Sequence, residues 1–450
     1  MKLKYILFTI QCLLLCGCTK FLDKKSDMSL AIPSTAAANQ ALLDRYSDMS
    51  TNFAGSGEAS ANDLYITDAD FSALGYDEDK RLYTWQPDHV SYGVASGNDW
   101  YYCYRAIYNA NAVLFNLDEY NISGTDADNI KGQALTFRAE RYLDAAQIWA
   151  PVYNKETAST DLGLPLRLDP DMNIPSVRAT VQQTYDQVIK DLQEAIPLLP
   201  EVPLATSRPS KPAALALLAR AFLFMGNYQD ALTNALAALG FKSTLMDYNT
   251  LNASDKYPIK NQNVEFVLWG SMRLPPPLSA TIARIQTSLY DSYDSNDLRK
   301  TLFFNKTDAE TILFRGSYTG SSGGRITSPL VDELYLIAAE CYARANDTAN
   351  ALTFLNQLLI TRWKTGTFVP YTAGNSSEAL DIILEERRKE LIFRGLRWPD
   401  VKRLNRDGAN INLERTVNGQ QYSLPANDPR YAIAIPEDVI ELSGIQQNPR

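Results

Sequence analysis

The 450-residue chain carries a single histidine, His89. A Ser-His-Asp or Cys-His relay would have to pass through it, yet it lies in a Pro- and Asp-containing stretch with no nucleophile motif beside it. No phosphate-cradling Walker loop is present, and no cysteine or histidine spacing makes a metal-ligand cluster. A glycosidase asks for less, only two carboxylates at a set separation. With 52 aspartates and glutamates in the chain, no pair stands out. The acids therefore read as a solvated surface, and the expectation is a protein with no catalytic centre, no metal and no cofactor.

Cys18 has chemistry of another kind. Lys2 and Lys4 precede an uncharged run of twelve residues, Tyr5 to Cys16. That is well short of the roughly 20 apolar residues that span a bilayer, and it fits the apolar region of an export signal. Leu15-Cys16-Gly17-Cys18 then resembles a bacterial lipobox, in which small residues admit the signal peptidase and the cysteine thiol receives a diacylglycerol. Each buried methylene adds about 0.8 kcal/mol, so several acyl chains anchor durably. Residues 1–17 are thus expected to be a lipoprotein signal peptide. Residues 18–40 would be the lipidated cysteine and its tether, which holds the body at a membrane through a lipid anchor. Removal of Lys2 and Lys4 with the signal leaves 41 basic against 52 acidic residues, the opposite of a nucleic-acid-binding balance. Cys103 and Cys341 remain, both in apolar helical patterns. They are expected to be buried free thiols, with a disulfide between them left open.

The elements that would position any site are mainly helical. Apolar residues recur at steps of three and four over Trp100–Leu117, Ala127–Ala150 and Thr180–Leu199, giving one stripe per helix. Two further stretches read as helix pairs. Ala213–Leu239 breaks at Gly226-Asn227, and Asp332–Leu359 breaks at Asn346-Asp347. Relative to Ala231 and Ala351, their small and apolar residues fall at the same offsets, a pattern similar to tetratricopeptide repeats. Residues 51–99 and 241–329 have little helical period and read as loop-rich insertions with a few short strands. They would be carried on a helical frame in one domain, residues 41–450.

Segments along almost the whole chain resemble the SusD/RagB family of outer-membrane nutrient-binding lipoproteins. They include Phe21-Leu22-Asp23 after the lipobox, Trp100 to Leu114, Arg138-Ala139-Glu140-Arg141-Tyr142, and Lys211 to Leu223. The later ones are Asn296-Asp297-Leu298-Arg299-Lys300, Glu386 to Leu391, Gly395, Arg397 to Arg403, Ile435-Pro436 and Gln447-Asn448-Pro449. The segment before Leu334, Ser328-Pro329-Leu330-Val331-Asp332-Glu333, departs from the pattern, since many members carry an arginine there. The resemblance implies about four tetratricopeptide-like helix pairs bearing a loop-rich ligand-binding part. It also implies a SusC-like TonB-dependent transporter barrel as partner, to which oligosaccharide, or in some relatives peptide, is delivered. Two other readings compete: a lipoprotein hydrolase of the same glycans, and a helical scaffold that binds only protein. Within the insertions, over 51–99 and 270–329, Tyr76, Trp85, Tyr92 and Tyr318, with the adjoining Trp269, are the candidate stacking faces for a sugar. Asp68, Asn98, Arg315 and Arg325 are the candidate hydroxyl partners. For each ring, ordinary core packing is the competing reading. The charged segment Glu385–Arg403 could be read as an anion site. A structural role, with arginines pairing glutamates, is preferred.

Overall fold

A computed structural model describes residues 33–88, 98–308 and 310–450. Cys18, His89 and Tyr92 lie outside the described residues. Ten helices of eight residues or more are described: α1 Ala36–Leu43, α2 Asp99–Glu119, α3 Thr125–Trp149, α4 Val181–Ala195, α5 Lys211–Met225, α6 Tyr228–Phe241, α7 Val331–Arg344, α8 Thr348–Leu359, α9 Ser376–Glu390 and α10 Arg397–Arg406.

Alanine sets how closely these helices approach. In α5, Ala213, Ala214, Ala216, Ala219 and Ala221 are wholly buried, and Ala231, Ala235 and Ala238 of α6 face them. The two matching hairpins also end alike. Gly226 (φ 78°) and Asn346 (φ 61°) adopt left-handed backbone, and the next residues, Asn227 and Asp347, cap α6 and α8 with their side chains. Helices α2 to α9 pack mostly against their neighbours in chain order, with α5/α6 and α7/α8 as the two hairpins, α4 between α3 and α5, and α9 leaning on α7 more than on α8. Helix α10 rests instead on α3, α5 and the short helix Ser56–Ser60. One large core runs from Phe53 to Ile445, and a smaller one ties α1 to α2 and α3 through Leu43, Val113, Ile130 and Phe137. Cys103 and Cys341 are buried and unbridged, as free thiols.

The insertions are more ordered than a loop reading expects. Residues 51–88 contain the helices Ser56–Ser60, Asp68–Ser72 and Asp77–Tyr83. A four-stranded antiparallel sheet runs in the order 64–65, 284–285, 312–314, 304–306, so the two insertions share one sheet. The apolar run Phe266–Trp269 forms only an isolated bridge, Phe266 to Leu330, and is buried as core. A hairpin, Leu413–Val417 with Gln420–Leu424, turns at Asn418-Gly419, both at positive φ as such a two-residue turn requires.

Candidate functional site

The loop-rich end holds a small polar recess lined by Ser56, Glu78, Asp79, Asn98, Asp99 and Arg273. Helix Asp77–Tyr83 supplies two of its acids and the first turn of α2 supplies Asp99. Asp99 accepts from the Gly55 and Ser56 amides, both at 3.0 Å, and from the Arg273 guanidinium at 3.3 Å. Burial raises the Asp79 carboxyl to about 6; Arg273 opposes that rise and Asp99 adds to it. The Arg273 side chain keeps 29% of its surface in solvent, so it can donate outward. Tyr76, at the start of the helix that carries Asp79, is 60% exposed. Asp68 is exposed on the neighbouring helix and accepts from the Asn418 amide at 2.8 Å.

Of the sequence-selected contacts among the described residues, only Tyr76 and Asp68 present themselves in this way. Six others are corrected by what holds them. Trp85 is buried at φ 53°, donates from Nε1 to Ser60 O at 2.9 Å, and lies under the Arg415 guanidinium. Trp269 is buried, with Nε1 on Asn261 Oδ1 at 2.7 Å and its ring against Tyr46. Tyr318 is buried, its hydroxyl 2.6 Å from that of Tyr248. Arg325 is buried over the Phe314 and Phe393 rings. Asn98 caps α2 through the Tyr101 amide at 2.9 Å. Arg315 is spent on the carbonyls of Ala253, Asp255 and Thr301. All six hold the frame together, and of them only Asn98 also lines the recess. Arg273 and Asp79 were missed: an isolated arginine and one acid in an acidic helix carry no signal until the fold joins them.

Gly320–Gly324 spells Gly-x-Ser-x-Gly, but it forms an exposed bend between strands rather than a strand-to-helix elbow. Among the described residues no group of His, Cys, Asp and Glu is arranged to hold a metal ion, and no helix is long and apolar enough to cross a membrane.

A larger concavity lies elsewhere. A cleft of about 520 Å³ lies between α2, the loop 165–176 and the short helix Glu437–Ser443, and its walls include Trp100, Tyr104, Tyr108, Met172, Ile174 and Leu442.

Residues 318–440 match the model of the SusD family, and residues 20–223 match a second model of that family, described as starch-binding and associating with the outer membrane. The chain belongs to the SusD family. It is 24% identical over 366 residues to SusD-like protein P2 of Formosa agariphila, covering 68% of this chain and 71% of that protein. A SusD superfamily protein from Bacteroides thetaiotaomicron superposes with a TM-score of 0.73 at 23% identity, over 92% of this chain and all of the other. A laminarin-binding SusD-like protein superposes with a TM-score of 0.65 at 18% identity, over 92% of this chain and 98% of its own.

The SusD signature segments turn out to be parts of two buried ionic clusters, both reached from α9. Arg299, from the Asn-Asp-x-Arg turn, binds Asp297 at 2.7 Å, Glu386 at 2.5 Å and Glu390 at 3.0 Å. Arg362 joins Glu390 at 2.7 Å to Glu265 at 2.8 Å. Arg403 holds Glu340 at 2.5 Å and Asp400 at 2.7 Å, and Arg387 holds Asp400 at 2.9 Å. Burial alone would raise Glu340, but Arg403 and Arg344 hold it down at about 2. Charges this deep are tolerated because each acid accepts several donors. Removing one partner strands the rest, which is a physical reason for these distant motifs to occur together. At the departure from the family pattern, Ser328 is buried and donates to Glu140 at 2.6 Å.

Proposed function

We propose that this protein is a cell-surface glycan-binding lipoprotein, held by lipid on Cys18, that captures oligosaccharide and passes it to a SusC-like TonB-dependent barrel. Membership of the SusD family carries the reading, and the sugar- and laminarin-binding names of its structural neighbours support it. The ligand is placed at the loop-rich end. Tyr76 offers a solvent-facing ring, and Arg273, Asp79 and Asp68 offer donors and acceptors for hydroxyls. A stacked ring contributes on the order of 1 kcal/mol beyond the area it buries. Tyr76→Ala should therefore weaken binding of a glycan-array hit about tenfold by calorimetry once its neighbouring hydrogen bonds are disturbed as well, with the melting temperature unchanged. If no oligosaccharide in a broad array binds the purified full chain, the glycan reading falls.

One observation favours a hydrolase as the second reading. A carboxyl near 6 beside a second carboxylate is what general-acid catalysis asks for. Against it, both oxygens of Asp99 are already taken by two amides and Arg273. Turnover of a bound glycan that disappears in Asp79→Asn would overturn the binding-only reading.

A further inference from the structure

Several exposed apolar side chains gather around the cleft at α2. On α2, Tyr101, Tyr108 and Phe115 are each 44–49% exposed. They are seven residues apart, so they fall on nearly one face, each about 10.5 Å further along the axis. Across the cleft, Met172 is 81% exposed and Leu442 is 89% exposed, and Val177 at the end of the same loop is 74% exposed. The loop is held in this shape from within: Arg167 donates to the carbonyls of Asp171 and Ile174, and Tyr142 hydrogen-bonds the backbone N–H and carbonyl of residue 167. The apolar tips are thus presented by a fixed frame. Contiguous exposure of this kind marks an interaction surface.

Its chemistry narrows the occupant. Carbohydrate recognition would pair rings with free polar groups, but the most exposed side chains here are aliphatic. Tyrosines and a methionine around an apolar centre are what protein interfaces enrich. The cleft and its edge carry Asp169, Asp171, Asp438 and Glu441. The nearby cations are engaged: Arg167 by carbonyls and Arg105 by Asp48. An acidic rim disfavours an anionic lipid surface, and it disfavours a second copy of a chain that is itself acidic. The entry of the chain adds the location. Asn39 donates to the Pro33 carbonyl at 2.7 Å and accepts from Asn116 of α2 at 3.0 Å. The chain therefore reaches the fold against α2, and the fifteen residues from Cys18 to Pro33 can span no more than about 50 Å. This face stays within reach of the membrane that holds the lipid.

We propose that the α2 cleft is the docking surface for an apolar, basic-flanked segment of the outer-membrane barrel, distinct from the glycan site at the loop-rich end. This rests on the barrel partnership proposed above. In the test, the full lipidated chain is affinity-tagged and co-expressed in its host with the barrel encoded beside it, and recovery of the barrel is measured. Met172→Glu/Leu442→Glu should reduce recovery at least tenfold, leaving glycan affinity and melting temperature as in the wild type. Val202→Glu, equally exposed but outside the cleft, should have no effect. Asp438→Lys/Glu441→Lys should weaken the complex, in keeping with a basic partner. Unchanged recovery with the Met172/Leu442 variant overturns the proposal. A wild-type dimer broken by that variant, or lost glycan binding with the complex intact, assigns the cleft to a second copy or to sugar and also overturns it. If the wild type recovers no barrel at all, the partnership itself fails, and the proposal with it.

Discussion

Glu58 should make this protein less stable as pH rises from 5 to 8, and Glu58→Gln should remove that loss. The side chain sits in the helix Ser56–Ser60 at 1% exposure, and neither carboxylate oxygen has a hydrogen bond of good geometry. Burial first, then the negative charge of Asp63, raise its pKa from 4.5 to about 8, with the Gly395 and Arg397 amides and the Arg397 charge tempering the rise. A raised carboxyl binds its proton more tightly in the folded state. Its stabilisation is complete below the unfolded value of 4.5 and is lost as pH rises toward the folded value of about 8. At about 1.36 kcal/mol per unit, the loss between pH 5 and pH 8 is on the order of 3–4 kcal/mol. The unfolding entropy of a chain this long is about 0.9 kcal/mol/K, so the melting temperature should fall by about 4 °C from this group alone. Asp144, raised to about 7 by burial, pushes the same way, whereas Lys402 pushes the other way above pH 7. Both cancel in the difference between wild type and variant. The assay is the melting temperature of each at pH 5, 6, 7, 8 and 9. The variant should match the wild type at pH 5 and exceed it by about 4 °C at pH 8. Parallel curves would refute the reasoning, since they would mean that Glu58 is already ionised in the fold or reaches water.

Three other outcomes are expected. Cys18→Ala should block lipidation, seen as an unprocessed precursor or loss from the outer-membrane fraction; normal processing and retention would remove the anchor assignment. Arg387→Ala should destabilise by about 3 kcal/mol, the low end for a broken buried pair, because Asp400 keeps Arg403 at 2.7 Å; glycan affinity of the folded variant should not change, and a binding loss at unchanged stability would make this segment the site. Lys402 donates only to the carbonyls of Gln147 and Ala150, and burial lowers its pKa to about 7. A lowered amine makes stability climb with pH between the folded value of about 7 and the unfolded 10.5, so Lys402→Met should flatten denaturant midpoints over that range, and an unaltered slope would contradict the assignment.

The helical frame was legible because its signals are local. Three- and four-residue spacings, Gly226-Asn227 and Asn346-Asp347 can each be read within thirty residues, and the helices begin and end close to where those patterns do. The structural reading of Glu385–Arg403 also held, since arginines and glutamates in such density have to satisfy one another when buried. The insertions were not legible in the same way. Strands of two or three residues are too short to show a period of two, and the pairing that joins the two insertions, Leu64 with Ile285, spans about 220 residues. Nor does composition say which way a ring faces. Trp85 and Trp269 sit among glycines, aspartates and prolines like ligand-binding aromatics, yet distant contacts turn them inward: Arg415 covers the first and Tyr46 packs on the second. The hairpin at Asn418-Gly419 went unread, although its turn dipeptide is a local signal.

Arg415 has a consequence for how the molecule is made. From the hairpin near the end of the chain it donates to the carbonyls of Ala59, Ala61 and Tyr83, and its guanidinium covers the Tyr83 and Trp85 rings. The earliest part of the core is therefore completed by some of the last residues to be synthesised. Contacts of such long sequence separation carry a high loop-closure entropy and form late. A nascent chain would leave the segment around residues 59–85 with open carbonyls and uncovered rings until almost the whole polypeptide has emerged. Truncation after about residue 410 should yield an aggregation-prone species rather than a working fragment, and a folding intermediate of this protein should be recognisable by solvent-accessible Trp85 fluorescence that is quenched only in the final phase.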